Sequence, residues 1–106
     1  MMAVKGWQRA QDPSLLVLTS LAGGPRHGYA LISDIEDIAG VTLGPGTLYG
    51  VLARLEQDGL IEALPAEDRR RPYRITGAGS MALRERLLAN SAVASVGLRR
   101  LGIAPT

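Results

Sequence analysis

Glycine and proline divide this 106-residue chain, up to Gly59, into lengths that only short helices can fill. Gly23-Gly24-Pro25, Gly40, Gly44-Pro45 and Gly59 stand at the edges of apolar-periodic runs, where helices start or stop. The first run predicts a helix from about Pro13 to Ala22, with Asp12 as N-cap, Pro13 as first helical residue and Leu15, Leu18 and Leu21 facing inward. The second predicts a helix from about Tyr29 to Ala39. Leu31, Ile32, Ile35 and Ile38 form its apolar stripe, and Asp34, Glu36 and Asp37 its wet side. After the link Val41 to Leu43, Gly44 serves as N-cap and Pro45 as first residue of a third helix. There Leu48, Val51, Leu52 and Leu55 fall at the i, i+3, i+4, i+7 spacing of a buried face. The last two helices, joined by a short turn, make a helix-turn-helix unit.

Beyond Gly59 the period changes. LIEAL (60–64) and PYRIT (72–76) are short strand patterns around the charged PAEDRRR, which predicts a two-stranded hairpin with a mobile tip. Three helices and a hairpin make a winged helix. The chain then returns to helix from about Ala78 to Arg100, capped by Thr76. Met81, Leu83, Leu87, Leu88, Val93, Val96 and Leu98 spread over more than one face of this helix, which is more apolar surface than one small domain covers. It is expected to meet a partner, and SAVASVG (91–97) offers small side chains for close approach. The expected fold is mostly α (α+β): a winged helix-turn-helix over residues 1–76, then a C-terminal dimerisation helix over 77–106. Met81, Leu87, Leu88, Ala92 and Val96 are its expected dimer contacts.

Composition removes several classes of chemistry. Cysteine is absent, so there are no disulfides, thiolate metal sites or cysteine nucleophiles. His27 is the only histidine, which leaves neither a second imidazole for a metal nor a base for a triad. GAGSMA (77–82) fits the dinucleotide pattern GxGxxG/A, but no acid follows at about 20 residues and no second parallel strand can form. Its glycines read as the turn from the wing into the last helix. No catalytic residue, metal ligand or cofactor is expected. Lys5 and Arg9 precede the apolar LLVLTSLAGG, yet Asp12 and Pro13 open a helix there rather than a secretion signal. No run approaches the ~20 apolar residues of a membrane span, and the expectation is a soluble, cytoplasmic protein.

Net charge is only +2 and unevenly placed. Six Arg oppose eight acids between Arg26 and Ile75, whereas four Arg face a single Glu from Thr76 onward. A global basic patch for nucleic acid is therefore ruled out, and the local pattern decides. On the outer face of the third helix, Thr47, Tyr49, Gly50 and Arg54 fill the first turns, while acids wait until Glu56 and Asp58. A helix that begins uncharged can enter a DNA groove with its N-terminal half; the plainer reading is a surface helix with one packed tyrosine. Arg69, Arg70 and Arg71 likewise read as a guanidinium cluster for phosphates or a minor groove. The plainer alternative is a solvated loop, with Glu67 and Asp68 neutralising part of its field.

HGYALISDIE (27–36), GPGTLYGVLARLEQDGLIE (44–62) and RPYRITGAGSMAL (71–83) together resemble bacterial transcriptional regulators of the PadR type. These carry HGY, PGTLY, a Leu-Glu-x-x-Gly-Leu-Ile segment and a YRIT-x-x-G segment in the same order, and the match spans about Leu15 to Leu88. The resemblance implies a homodimer, paired through the last helix, that binds a palindromic operator as a repressor released by a small-molecule effector. The single C-terminal helix is similar to the compact subgroup. Two positions depart from the pattern: Gly44 stands where many relatives have Ser, and Gly50 where many have Pro. Trp7 lies outside the last helix, so the drug-stacking tryptophans of some compact relatives have no counterpart there. The expected DNA-contact set is His27, Tyr29, Pro45, Thr47, Tyr49, Arg54, Arg69, Arg70, Arg71 and Tyr73. Within it His27 hydrogen-bonds locally before the second helix, Tyr29 divides evenly between packing and phosphate contact, and Tyr73 is mostly structural. The alternative function is a winged helix used for protein contact, with the acidic second helix as its sticky face.

Overall fold

The computed structural model of the chain describes residues 12–103; the sequence reading around Lys5, Trp7 and Arg9 lies outside them. The elements in chain order are α1 (Pro13–Leu21), β1 (Arg26–His27), α2 (Gly28–Ala39), α3 (Pro45–Gln57), β2 (Ile61–Ala63), β3 (Pro72–Ile75) and α4 (Gly77–Arg100). This is the mostly helical winged helix that the sequence predicts, with one strand more.

Local chemistry sets the helix ends. Asp12 Oδ1 accepts the Ser14 N–H at 2.9 Å to start α1, and Thr76 Oγ1 accepts the Gly79 N–H at 3.0 Å to start α4. Gly44 caps α3 with no side-chain bond, ahead of Pro45. At the other end of α3 the Gly59 N–H reaches Glu56 O and the Leu60 N–H reaches Leu55 O, with Gly59 at φ 75°. These are the paired bonds of a Schellman stop, which needs the left-handed conformation that glycine adopts without a Cβ penalty.

The core differs from the predicted stripes in two places. On α1, Leu16, Val17, Leu18, Ser20 and Leu21 are all buried and Leu15 only partly, so α1 is a central helix enclosed on most sides rather than an amphipathic one. On α2, Leu31 and Ile35 are fully buried but Ile38 is 51% exposed. Leu43, Leu48, Leu52, Leu55, Ile61 and Leu83 complete the cluster.

The wing is a three-stranded antiparallel sheet in the order β1-β3-β2, not a two-stranded hairpin. Arg26 pairs with Tyr73 and His27 with Pro72 on one side of β3, and Ile61, Glu62 and Ala63 pair with Ile75, Arg74 and Tyr73 on the other. Its tip is a closed turn. Glu67 and Arg70 exchange backbone hydrogen bonds at 2.7 and 2.8 Å, and Asp68 and Arg69 between them take φ of 50° and 68°. That is the left-handed pair of a tight hairpin turn, whose twist matches the strands.

The entry into α4 is equally fixed. A Cβ on Gly79 would lie 2.0 Å from the Leu60 carbonyl oxygen and 2.8 Å from Ile75 Cγ1. Only glycine lets α4 approach so closely, and Thr76 reinforces the junction by donating to Gly59 O at 2.7 Å. Beyond Leu83 no residue of α4 is buried, and Met81, Leu87, Leu88, Val93 and Val96 lie exposed.

Candidate nucleic-acid interface

Three elements converge at one end of the fold: the start of α2, the second turn of α3 and the near side of the wing. Between them lies a cleft of about 240 Å³ lined by His27, Gly28, Tyr29, Tyr49, Arg69, Arg70, Arg71 and Tyr73. Seven of the ten residues singled out from the sequence thus come together, although 46 positions separate His27 from Tyr73. Pro45, Thr47 and Arg54 stand outside the cleft, exposed along α3.

His27 ends β1 and caps α2, its Nδ1 accepting the Ala30 N–H at 3.3 Å. That is the local role its position suggested. Tyr29 follows in the first turn and is 79% exposed, its ring free of the core. Tyr73 is half-buried against the core beneath it. Burial, joined by the Glu56 carboxylate and Tyr49, pushes the Tyr73 hydroxyl above its ordinary value, against a smaller opposing effect of Arg71.

The acids beside the arginine run face the other way. A second, larger cleft of about 780 Å³ lies against Pro25, Arg26, His27, Ala30, Leu64, Glu67, Asp68, Arg70 and Pro72. Glu67 and Asp68 line that side, and no acid lines the cleft of the tyrosines. The two acids thus line one cleft only, whereas Arg70 lines both. Glu62 and Arg74 neutralise each other as a cross-strand ion pair lower on the sheet.

A buried polar contact behind the cleft was not legible in the sequence. Ser20, 2% exposed on α1, donates its hydroxyl to Asp34 Oδ2 of α2 at 2.6 Å. Arg26 Nε donates to Ser20 O at 3.3 Å and sits 3.6 Å from the same carboxylate. Asp34 is thus half-buried and engaged, not one of the wet residues of α2, and together with Ser20 it ties strand β1 to both helices. Gly28, which lies in the HGY motif but was not among the residues singled out, is buried and lines the cleft as well.

Comparison with known proteins agrees with this fold. The model of the PadR-like family of transcriptional regulators matches residues 17–85, which is more than half of the chain. The chain belongs to that family. A PadR family transcriptional regulator from Eggerthella lenta is 35% identical, with a TM-score of 0.65 over 83% of this chain and 79% of that one. A transcriptional regulator from Clostridium thermocellum superposes with a TM-score of 0.75 at 25% identity, covering 92% of this chain and 97% of its own. An uncharacterised 37.1 kDa protein of transposon Tn4556 from Streptomyces fradiae is 51% identical over 71 residues. The matched part is 67% of this chain but only 21% of that relative, so the chain corresponds to a small part of the larger protein. Members of the PadR-like family are transcriptional regulators and not enzymes. Among the described residues no helix is long and apolar enough to cross a membrane.

Proposed function

We propose that this PadR-like regulator acts as a homodimer that binds a palindromic DNA operator and represses transcription until a small-molecule effector releases it. The observation that carries the DNA reading is the acid-free cleft, where guanidinium groups of the wing meet the start of α2 and the exposed side of α3. A duplex laid across this end would place the first turn of α3, with Pro45 and Thr47, in the major groove, with Arg54 further along the exposed face near the other end of the helix. The intervening phosphates would lie in the cleft, and Arg69 at the wing tip would reach the next minor groove. Phosphate contacts fix position, and base-edge contacts from α3 supply specificity.

Dimerisation is supported by α4, whose Leu87, Leu88, Val93 and Val96 have no cover within one chain. An apolar groove of about 310 Å³ lined by Leu15, Leu16, Thr19, Ile38, Ala39, Leu87 and Asn90 gives a second copy somewhere to pack. Such packing would cover the exposed Ile38. Repression and effector release rest on the family.

The test is a titration of operator and random-sequence duplexes over a salt series. Replacing Arg69, Arg70 and Arg71 together with Ala should weaken binding to every duplex alike and lower the slope of log K against log salt by up to about 2.7, three contacts at ~0.9 each. Wild-type protein that binds no duplex, or shows no salt dependence, would favour a winged helix used for protein contact through the acidic face of α2.

A further inference from the structure

Its place on the outer face of α3 puts Tyr49 in the expected DNA-contact set, and the structure seats its ring against the start of α2. A Cβ on Gly28 would lie 2.6 Å from Tyr49 Oη, closer than a real Cβ contact comes, and a tight 3.1 Å from its Cζ. The tyrosine ring therefore occupies the space that the missing side chain leaves. No backbone reason asks for glycine there, since the left-handed glycines are Gly24, Gly40, Gly59 and Gly102. Gly28 is also buried, at the first residue of α2. The function of this glycine is room.

Seated this way, the Tyr49 hydroxyl lies against the start of α2, where the first N–H groups have no partners within the helix. It lines the same cleft as Arg69 and Arg71. The hydrogen bonds of the described residues leave it free to donate. The ring is still 55% exposed, so a ligand in the cleft can reach it. We propose that Tyr49 is a phosphate-contacting residue positioned by Gly28, so that the HGY and GTLY segments form one backbone clamp rather than two independent contacts. On this assignment base reading on α3 is left to its first turn, at Thr47. The inference rests on the DNA reading given above and deepens it, because it names which part of the duplex this side chain recognises.

A neutral hydroxyl bound to phosphate adds affinity without sequence preference and without counterion release. Tyr49→Phe keeps the ring on Gly28 and removes only the donor. It should weaken operator and random-sequence duplexes by the same factor, about tenfold, with an unchanged salt slope and an unchanged melting temperature. Gly28→Ala, which suits the helix itself, should unseat the ring and weaken both duplexes to a similar degree. In a Tyr49→Ala background the added methyl meets only Leu48 Cδ2 at an ordinary 3.5 Å, so Gly28→Ala should then change binding by less than about twofold. Loss of operator binding alone on Tyr49→Phe, with random duplexes unaffected, would return Tyr49 to base reading and overturn the clamp. An equal cost of Gly28→Ala with and without Tyr49 would overturn the seat. Failure of the wider DNA reading looks different, because wild-type protein would then shift no duplex at all.

Discussion

The two ends of α4 are made of similar residues and meet opposite fates. From Gly77 to Leu83 the helix is locked: Thr76 caps it, Gly79 lies against the Leu60 carbonyl, and Leu83 enters the core. From Arg84 to Leu101 it carries more aliphatic side chains and buries none of them. Apolar content alone therefore says little about where a helix is held. What fixes the first turns is one backbone contact and a cap; what the later turns lack is a neighbour.

Four substitutions test this contrast, and the largest effect belongs at the locked end. Gly79→Ala forces a methyl into a carbonyl oxygen that is itself bonded to the Thr76 N–H, and should cost about 3 kcal/mol of unfolding free energy in denaturant titrations. A cost near zero would show that α4 can slide away from Leu60, and the lock would not exist.

The wing tip is the intermediate case, ordered but strained. Arg69 holds φ 68°, where an L-residue pays for its Cβ and glycine does not, so Arg69→Gly should raise stability by about 0.5–1 kcal/mol. The same change should lower the salt slope of duplex binding by about 0.9, if the guanidinium meets a phosphate. A variant that is both more stable and a weaker binder would show that this strain serves contact rather than folding.

At the uncovered end the effect on the folded chain should be smallest. Leu88→Arg and Val96→Arg place charge on side chains that touch no core, and at high dilution the unfolding midpoint should stay within about 0.5 kcal/mol of wild type. Assembly is where they should act. Wild-type sedimentation should report a dimer and a midpoint that rises with concentration, whereas both variants should remain monomeric and bind operator more weakly. Monomeric wild-type protein at working concentration would remove the dimer from the proposed function.

The sequence by itself determined what short-range chemistry controls. Asp12 with Pro13, Gly44 with Pro45, Gly59 and Thr76 place the helix ends because each acts on N–H or C=O groups within a few residues. The 3.6-residue spacing on α3 names its buried face for the same reason. Tertiary structure decided everything that depends on which neighbour arrives. Strand β1 is two residues long, too short to show a period, and exists only because β3 pairs with Arg26 and His27. Ser20 becomes a buried donor because Asp34, fourteen residues away, is brought to its hydroxyl. Ile38 follows the α2 stripe and still faces outward because no helix of its own chain covers it. Within the site, residue types and motifs were legible, but not that Glu67 and Asp68 would turn to the far side of the wing, nor that Tyr49 would lie on Gly28. A pattern along the chain gives each side chain a face on its own element, and only the packing of those elements determines what that face meets.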